Sequence, residues 1–290
     1  MKNARNIAGR VIGHCLTGSG LVAWNLARVG AAGSVTNVYF HRPSRSVFAG
    51  CMTWLLQRGF NIVSTRQLEE ALGGGRPLRP LSAHVSLDDG WRSNLTEVVP
   101  VARSLNIPVT IFIPAEPILA GTYWWTDVAR QAGHGHRTIE HLKRVPDAER
   151  RKFLSALVRH SDVPREAMTL EELQAIARLD NVEIGSHTVT HPILTQCTDE
   201  VLAQELEASK STLEDWLGMP VRSFAYPNGD VGDREVAAVR KAGYTLAFTT
   251  VQRHACQTRA DLLRLPRLAL PNDTSLPENI ARMTGMWYVL

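Results

Sequence analysis

Two rhythms of apolar and polar positions take turns along this chain. Short apolar runs rich in β-branched residues, the mark of strands, are separated by longer stretches whose apolar residues recur every three or four positions, the mark of helices. Val35–Phe40 reads as a strand ending at His41-Arg42-Pro43, and Phe48–Arg58 as a helix that stops at Gly59. Thr65–Leu72 is a second helix closed by Gly73-Gly74-Gly75, and Leu81–Leu87 a strand running into Asp88-Asp89-Gly90. Asn94–Leu105 reads as helix and Pro108–Ile113 as a buried strand. Strand character returns at Val182–Ile184, Ser223–Tyr226, Thr245–Thr249 and Leu263–Leu270, with helices at Glu200–Leu217 and Glu235–Ala242.

Strands alternating with helices predict a parallel sheet, either open or closed into a barrel. His41, Asp88-Asp89, His187 and Tyr226-Pro227 each fall just past the end of a different strand. In a barrel those ends gather at one face, where active sites are built. Residues 126–180 break the alternation with helical stretches at Ala148–His160 and Leu170–Leu179, so they are expected to form an insertion or lid. The expected organisation is a basic N-terminal segment over 1–33, a domain over 34–275 that carries the insertion, and a C-terminal tail over 276–290. No internal repeat stands out.

Composition adds little to this except through charge. Of the 290 residues, 44% are hydrophobic and 21% charged, as in an ordinary globular protein. No apolar run reaches the roughly 18 residues needed to cross a bilayer. Cys15, Cys51, Cys197 and Cys256 are scattered, which argues against a disulfide framework or a cysteine zinc site and suits a reducing compartment. Residues 1–68 hold eight of the 32 basic residues and no acid, leaving 24 basic against 28 acidic side chains in the remainder. That positive quarter suits an anionic surface, although no nucleic-acid-binding motif accompanies it and no nucleic-acid partner is expected. Apolar pairs at 7–8, 11–12 and 15–16 predict an amphipathic helix that packs on the domain or lies on a membrane surface. The absence of a clear export signal puts the expected location in the cytoplasm, with membrane association through the basic segment, and secretion, left open.

The chemistry concentrates in Ser86-Leu87-Asp88-Asp89-Gly90 and Ser186-His187-Thr188-Val189-Thr190-His191. One carboxylate and two neutral imidazoles make a ligand set for a divalent metal of the zinc type, and the second carboxylate is left to act as a base on water. Singly, each motif has an ordinary explanation: adjacent aspartates before glycine are common in turns, and histidines are usually surface or core residues. Their joint position at strand ends favours the metal. His84, mid-strand, is expected to satisfy a core hydrogen bond, and Trp91 to brace the carboxylate loop. Trp124 and Trp125 are candidates for stacking on sugar rings, with core packing as the alternative.

Together with Phe224-Ala225-Tyr226-Pro227-Asn228-Gly229, these motifs resemble those of the polysaccharide deacetylase (NodB homology) family, from about Val35 to about Leu270. The resemblance implies an α/β fold, a distorted (β/α)7-type barrel or incomplete TIM-like barrel, and metal-dependent removal of acetyl groups from sugars. Carried over, it implies Asp89, His187 and His191 as metal ligands and Asp88 as general base. Tyr226 and Pro227 would line the site, with the Tyr226 amide facing the oxyanion.

Two departures from the family pattern matter. The arginine that many members carry in the third motif is Ala225 here, so Arg264 or Arg267, with Arg267 preferred, is expected to orient Asp88. The histidine acid many members place near the last strand is missing from Leu268-Ala269-Leu270-Pro271. His41, in Tyr39-Phe40-His41-Arg42, is the candidate acid instead. The implied cofactor is one divalent ion, zinc by default, with iron, nickel or cobalt as alternatives. The expected substrate is an acetylated glycan or a lipid- or nucleotide-linked sugar precursor. Competing expectations are an O-acetyl esterase or deformylase on the same scaffold, or a catalytically silent glycan-binding member.

Overall fold

The computed structural model describes residues 2–121, 133, 135–157, 165–258, 260–272 and 274–288. Its centre is a curled sheet built from β1 (Ser34–Phe40), β2 (Asn61–Val63), β3 (Ser82–Asp88), β4 (Val109–Ile113), β5 (Val182–Ser186), β6 (Ser223–Ala225), β7 (Leu246–Phe248), β8 (Ala255–Cys256) and β9 (Leu268–Ala269). The order is β7-β6-β5-β4-β3-β1-β8, with β2 beside β3 and β9 beside β1. All pairs are parallel except β1 with β8. The segment before β9 draws the sheet edges together: Leu265 bridges to Phe248 at the end of β7, while β9 pairs with β1. This is the parallel sheet expected from the alternation of elements, curled into the distorted barrel that the family resemblance implies.

The helices described are α1 (Lys2–Gly18), α2 (Leu21–Ala31), α3 (Arg45–Gln57), α4 (Thr65–Leu72), α5 (Val99–Ser104) and α6 (Ala115–Ala120). They continue as α7 (His136–Leu142), α8 (Asp147–Leu157), α9 (Leu170–Ala177), α10 (Asp199–Leu217), α11 (Asp233–Lys241) and α12 (Leu276–Met283). Ser64, Thr169 and Thr198 cap α4, α9 and α10 by accepting from backbone amides of the first turn. α7, α8 and α9 fall within the insertion expected over 126–180. The stretch 276–283, expected as tail, is a helix against which α1 packs. Gly9 and Gly13 make that approach possible, since a β-carbon at Gly13 would stand 2.6 Å from the Glu278 amide nitrogen. The packing face of α1 takes in Leu16 of the expected pair 15–16 but neither Val11 nor Ile12. Gly13 and Leu16 are buried, whereas Val11 and Ile12 are exposed. Among the described residues no helix is long and apolar enough to cross a membrane.

The side chains of β3 show why the barrel mouth is polar. Every residue of the strand is buried. Ala83, Val85 and Leu87 turn outward into the main hydrophobic cluster under the helices. Ser82, His84, Ser86 and Asp88 lie on the opposite, inner side, as the period of two requires. β4 follows the same rule, with Val109, Ile111 and Ile113 outward and Phe112 inward beside Phe248 and Leu265. Gly185 on β5 is required by this inner packing, because a β-carbon there would meet Phe112 at 2.4 Å.

His84 is held in that interior. Its Nε2 lies 3.0 Å from both Thr65 Oγ1 and Thr110 Oγ1, and its ring stacks on Phe248 at 5.0 Å. Burial, reinforced by the Arg267 charge, drives its pKa from 6.5 down to about 3. The neutral ring is thus favoured by folding. Its stabilising contribution is complete above pH 6.5 and is lost as pH falls toward 3. Below 6.5 the loss approaches about 1.4 kcal/mol per pH unit. We predict that unfolding free energy measured by denaturant falls less steeply between pH 6.5 and 4.5 in His84→Leu than in the parent chain. Equal slopes would contradict this account.

Candidate active site and metal centre

Asp88 is the last residue of β3 and Asp89 the first beyond it. Asp89 takes φ +92 and Gly90 φ +66, a sharp turn that separates the two carboxylates. Both are buried, at 3% and 1% exposure. Two adjacent carboxylates out of water each need a counter-charge or strong donors.

Asp88 has its counter-charge in Arg267, which comes from the segment entering β9. Arg267 Nη1 and Nη2 donate to Asp88 Oδ1 and Oδ2 at 2.7 and 2.9 Å, a bidentate pair. The guanidinium is fully buried. It donates further to Ser86 Oγ at 3.1 Å and the Thr249 carbonyl at 3.1 Å, and lies 4.3 Å over the Tyr39 ring. Burial by itself would raise the Asp88 pKa, but Arg267, helped by His187, reverses the effect and holds it below its ordinary value. Arg264 points elsewhere and pairs with Asp233 and Asp261.

Asp89 faces imidazoles instead. Its Oδ1 lies 3.4 Å from His187 Nε2 and 3.9 Å from His191 Nε2, and those two nitrogens are 3.2 Å apart. A tetrahedral ion with bonds of about 2.0–2.1 Å separates its ligands by roughly 3.4 Å, so the three atoms match a cation's edges. Trp91 Nε1 donates to Asp89 Oδ2 at 3.0 Å, while Oδ1 is a buried oxygen with no hydrogen-bond partner. His187 Nδ1 donates to the Ala225 carbonyl at 2.7 Å, which leaves the Nε2 lone pair directed at the gap. Burial, with the neighbouring His187 and His41 rings, keeps His191 well below 6.5 and so in the neutral form a ligand requires. Among the described residues this is the one group of three His, Cys, Asp or Glu side chains with ligand spacing. The residues present fit a divalent ion.

His41, beyond β1, stands at the open edge of the site. Its Nε2 is 3.8 Å from Asp89 Oδ2 and its side chain is 45% exposed. Pro227 is buried beyond β6. The expectation for Tyr226 needs correction. Its amide donates to the Phe248 carbonyl at 3.0 Å as part of the β6–β7 pairing, and its hydroxyl donates to the Leu263 carbonyl. Neither group is available to an oxyanion. Trp124 and Trp125 lie outside the described residues.

Sequence reasoning missed Glu205 of α10. Its carboxylate is buried directly beneath the histidine loop and accepts from the Val189 and Thr190 amides. The available signal was an acid within the buried stripe Leu202, Leu206, Ser209 and Leu213.

A curled parallel barrel with an Asp-His-His centre at its C-terminal rim defines a class. The polysaccharide deacetylase family profile matches residues 76–247, more than half of the chain. The chain belongs to this family, whose members are hydrolases. It is 24% identical over 252 residues to the poly-β-1,6-N-acetyl-D-glucosamine N-deacetylase of Escherichia coli K12, covering 78% of this chain and 33% of that protein. The chain thus spans about a third of the length of the Escherichia coli relatives it matches. In fold it is similar to the Streptococcus pyogenes deacetylase PplD, with TM-score 0.66 and 16% identity over 86% of this chain and 98% of that one. IcaB from Ammonifex degensii matches with TM-score 0.64 and 20% identity, over 87% and 97% of the two chains.

The Asp88–Arg267 pair yields a direct test. Removing one partner of a buried bidentate pair strands the other charge and costs about 3–5 kcal/mol. Arg267→Met is predicted to lose that much unfolding free energy, and the Asp88→Asn, Arg267→Met double variant to regain half or more of it. Strictly additive losses in denaturant titrations would contradict the pairing.

Proposed function

We propose that this chain hydrolyses the acetamido group of an N-acetylated amino sugar within a glycan or glycan precursor. The observation that carries this proposal is the division of labour between adjacent aspartates, Asp88 locked to Arg267 and Asp89 turned to two imidazoles. Asp89, His187 and His191 would hold a divalent ion, which would supply Lewis acidity toward the acyl carbonyl and the attacking water. Zinc suits one carboxylate and two imidazoles, and iron, nickel or cobalt fit the same donors.

Asp88 takes the proton of the attacking water. Arg267 serves it by keeping the carboxylate ionised and its oxygens fixed in direction. His41 gives a proton to the departing amine, since an unprotonated amide nitrogen is a poor leaving group. Its exposure and its place beside Asp89 suit a donor that meets substrate from the open side. Thr188 with φ +70 and His191 with φ +58 hold uncommon backbone conformations beside the ligands, as functional sites often do. The Escherichia coli relative's name favours N-acetylglucosamine linked β-1,6 as the first substrate to try.

The test measures acetate release from β-1,6- and β-1,4-linked N-acetylglucosamine oligomers and from O-acetylated sugars, using chain loaded with each metal in turn. Asp88→Asn is predicted to lower kcat by about 10²–10⁴-fold while metal content stays near one ion per chain. His187→Ala is predicted to lose both metal and turnover. Acetate release that survives chelation, or full activity in Asp88→Asn, would contradict the proposal. Release from O-acetyl sugars alone would move the assignment to an esterase.

A further inference from the structure

The two histidine ligands sit on a loop whose conformation is costly. Thr188 and His191 are left-handed without being glycine, each at an expense of about 1 kcal/mol or more. Part of the loop is held by the His191 amide donating to Thr188 Oγ1 at 3.0 Å and, from α6, by the Glu116 amide donating to the Val189 carbonyl at 2.9 Å. The remainder is gathered by one buried carboxylate. Glu205 Oε2 accepts from the Val189 and Thr190 amides at 2.8 and 3.0 Å, and Oε1 accepts from Thr190 Oγ1 at 2.7 Å.

The insertion completes this arrangement. Arg151 of α8 donates through Nη2 to Glu205 Oε1 at 3.1 Å and to Thr190 Oγ1 at 2.9 Å, and its Nε donates to Asp147 Oδ2 at 2.7 Å. Ile139 and Leu142 of α7, with Phe153 and Leu154 of α8, cluster with Ile193, two residues past His191. The insertion is therefore fastened to the ligand loop by a charged contact at Thr190 and an apolar one at Ile193.

We propose that Glu205 is a positioning residue for His187 and His191, and that the inserted helix α8, through Arg151, sets the metal affinity of the site. The proposal rests on the metal-centre assignment above. The physical reason is that imidazoles bind tightly only when their loop is already in the bound shape. Partners behind metal ligands are typically worth about 10–100-fold in metal affinity.

The experiment is direct titration of the full chain with Zn²⁺ in competition with a chromophoric chelator. Glu205→Ala is predicted to weaken binding by about 10–100-fold. Glu205→Gln, which keeps one carbonyl oxygen for the loop amides, is predicted to recover part of that loss. Arg151→Met, at a side chain 51% exposed, is predicted to weaken binding by several-fold with its cooperative melting retained. Tyr244→Phe serves as the control for destabilisation alone. It removes a hydroxyl bonded to Ser209 and Leu206 on the same helix α10, so it should lower thermal stability and leave zinc affinity unchanged.

Wild-type affinity in folded Glu205→Gln and Arg151→Met would overturn the proposal, as would an equal loss in Tyr244→Phe. The metal-centre assignment fails separately, if the parent chain and His187→Ala bind zinc alike.

Discussion

Two neighbouring carboxylates buried at the mouth of a barrel set the terms for everything around them. Taking either ion out of water costs several kcal/mol unless opposite charge and donors replace the lost hydration. The chain supplies one full counter-charge, the Arg267 fork on Asp88, and gives Asp89 an indole donor on one oxygen only. What remains is a second carboxylate facing two imidazoles. That imbalance suits the site to a cation, and gives the two aspartates unequal surroundings despite being adjacent in sequence.

The fold exists to hold that inequality in place. Inner-facing residues of β3 carry the polar series down to Asp88, while the outward series packs under the helices. The segment entering β9 returns the chain between the sheet edges and delivers Arg267 to the same interior. Phe112, Phe248 and Tyr39 surround the guanidinium, so the cation is desolvated together with its partner. A weakly hydrated, planar arginine suits that setting better than lysine would.

Much of this was legible because the reactive residues sit in short runs at strand ends, where sequence position and spatial position coincide. The alternation of elements spoke for a parallel sheet, the family resemblance for its barrel form, and the paired motifs for the donor set. Choosing between Arg264 and Arg267 required strand register, since residues three apart in extended chain face opposite sides. The Tyr226 amide depended on which strand pairs with β6, something no local pattern discloses. Gly9 and Gly13 drew no notice within the expected amphipathic helix, and the partner helix α12 explains them. Glu205 was passed over because the sequence alone does not show that its stripe on α10 is buried. The insertion, expected as a lid, proves to be tied to the histidine loop through Arg151 and Ile193.

The claim at the centre is that one cation is held by Asp89, His187 and His191 while Asp88 stays out of its coordination sphere. X-ray absorption at the zinc edge of the loaded chain addresses this most directly. The account predicts two imidazoles and oxygen donors at about 2.0–2.1 Å with no sulfur, and the same spectrum when Asp88 is replaced by asparagine. A spectrum without imidazole scattering, or one that loses an oxygen ligand in Asp88→Asn, would contradict it.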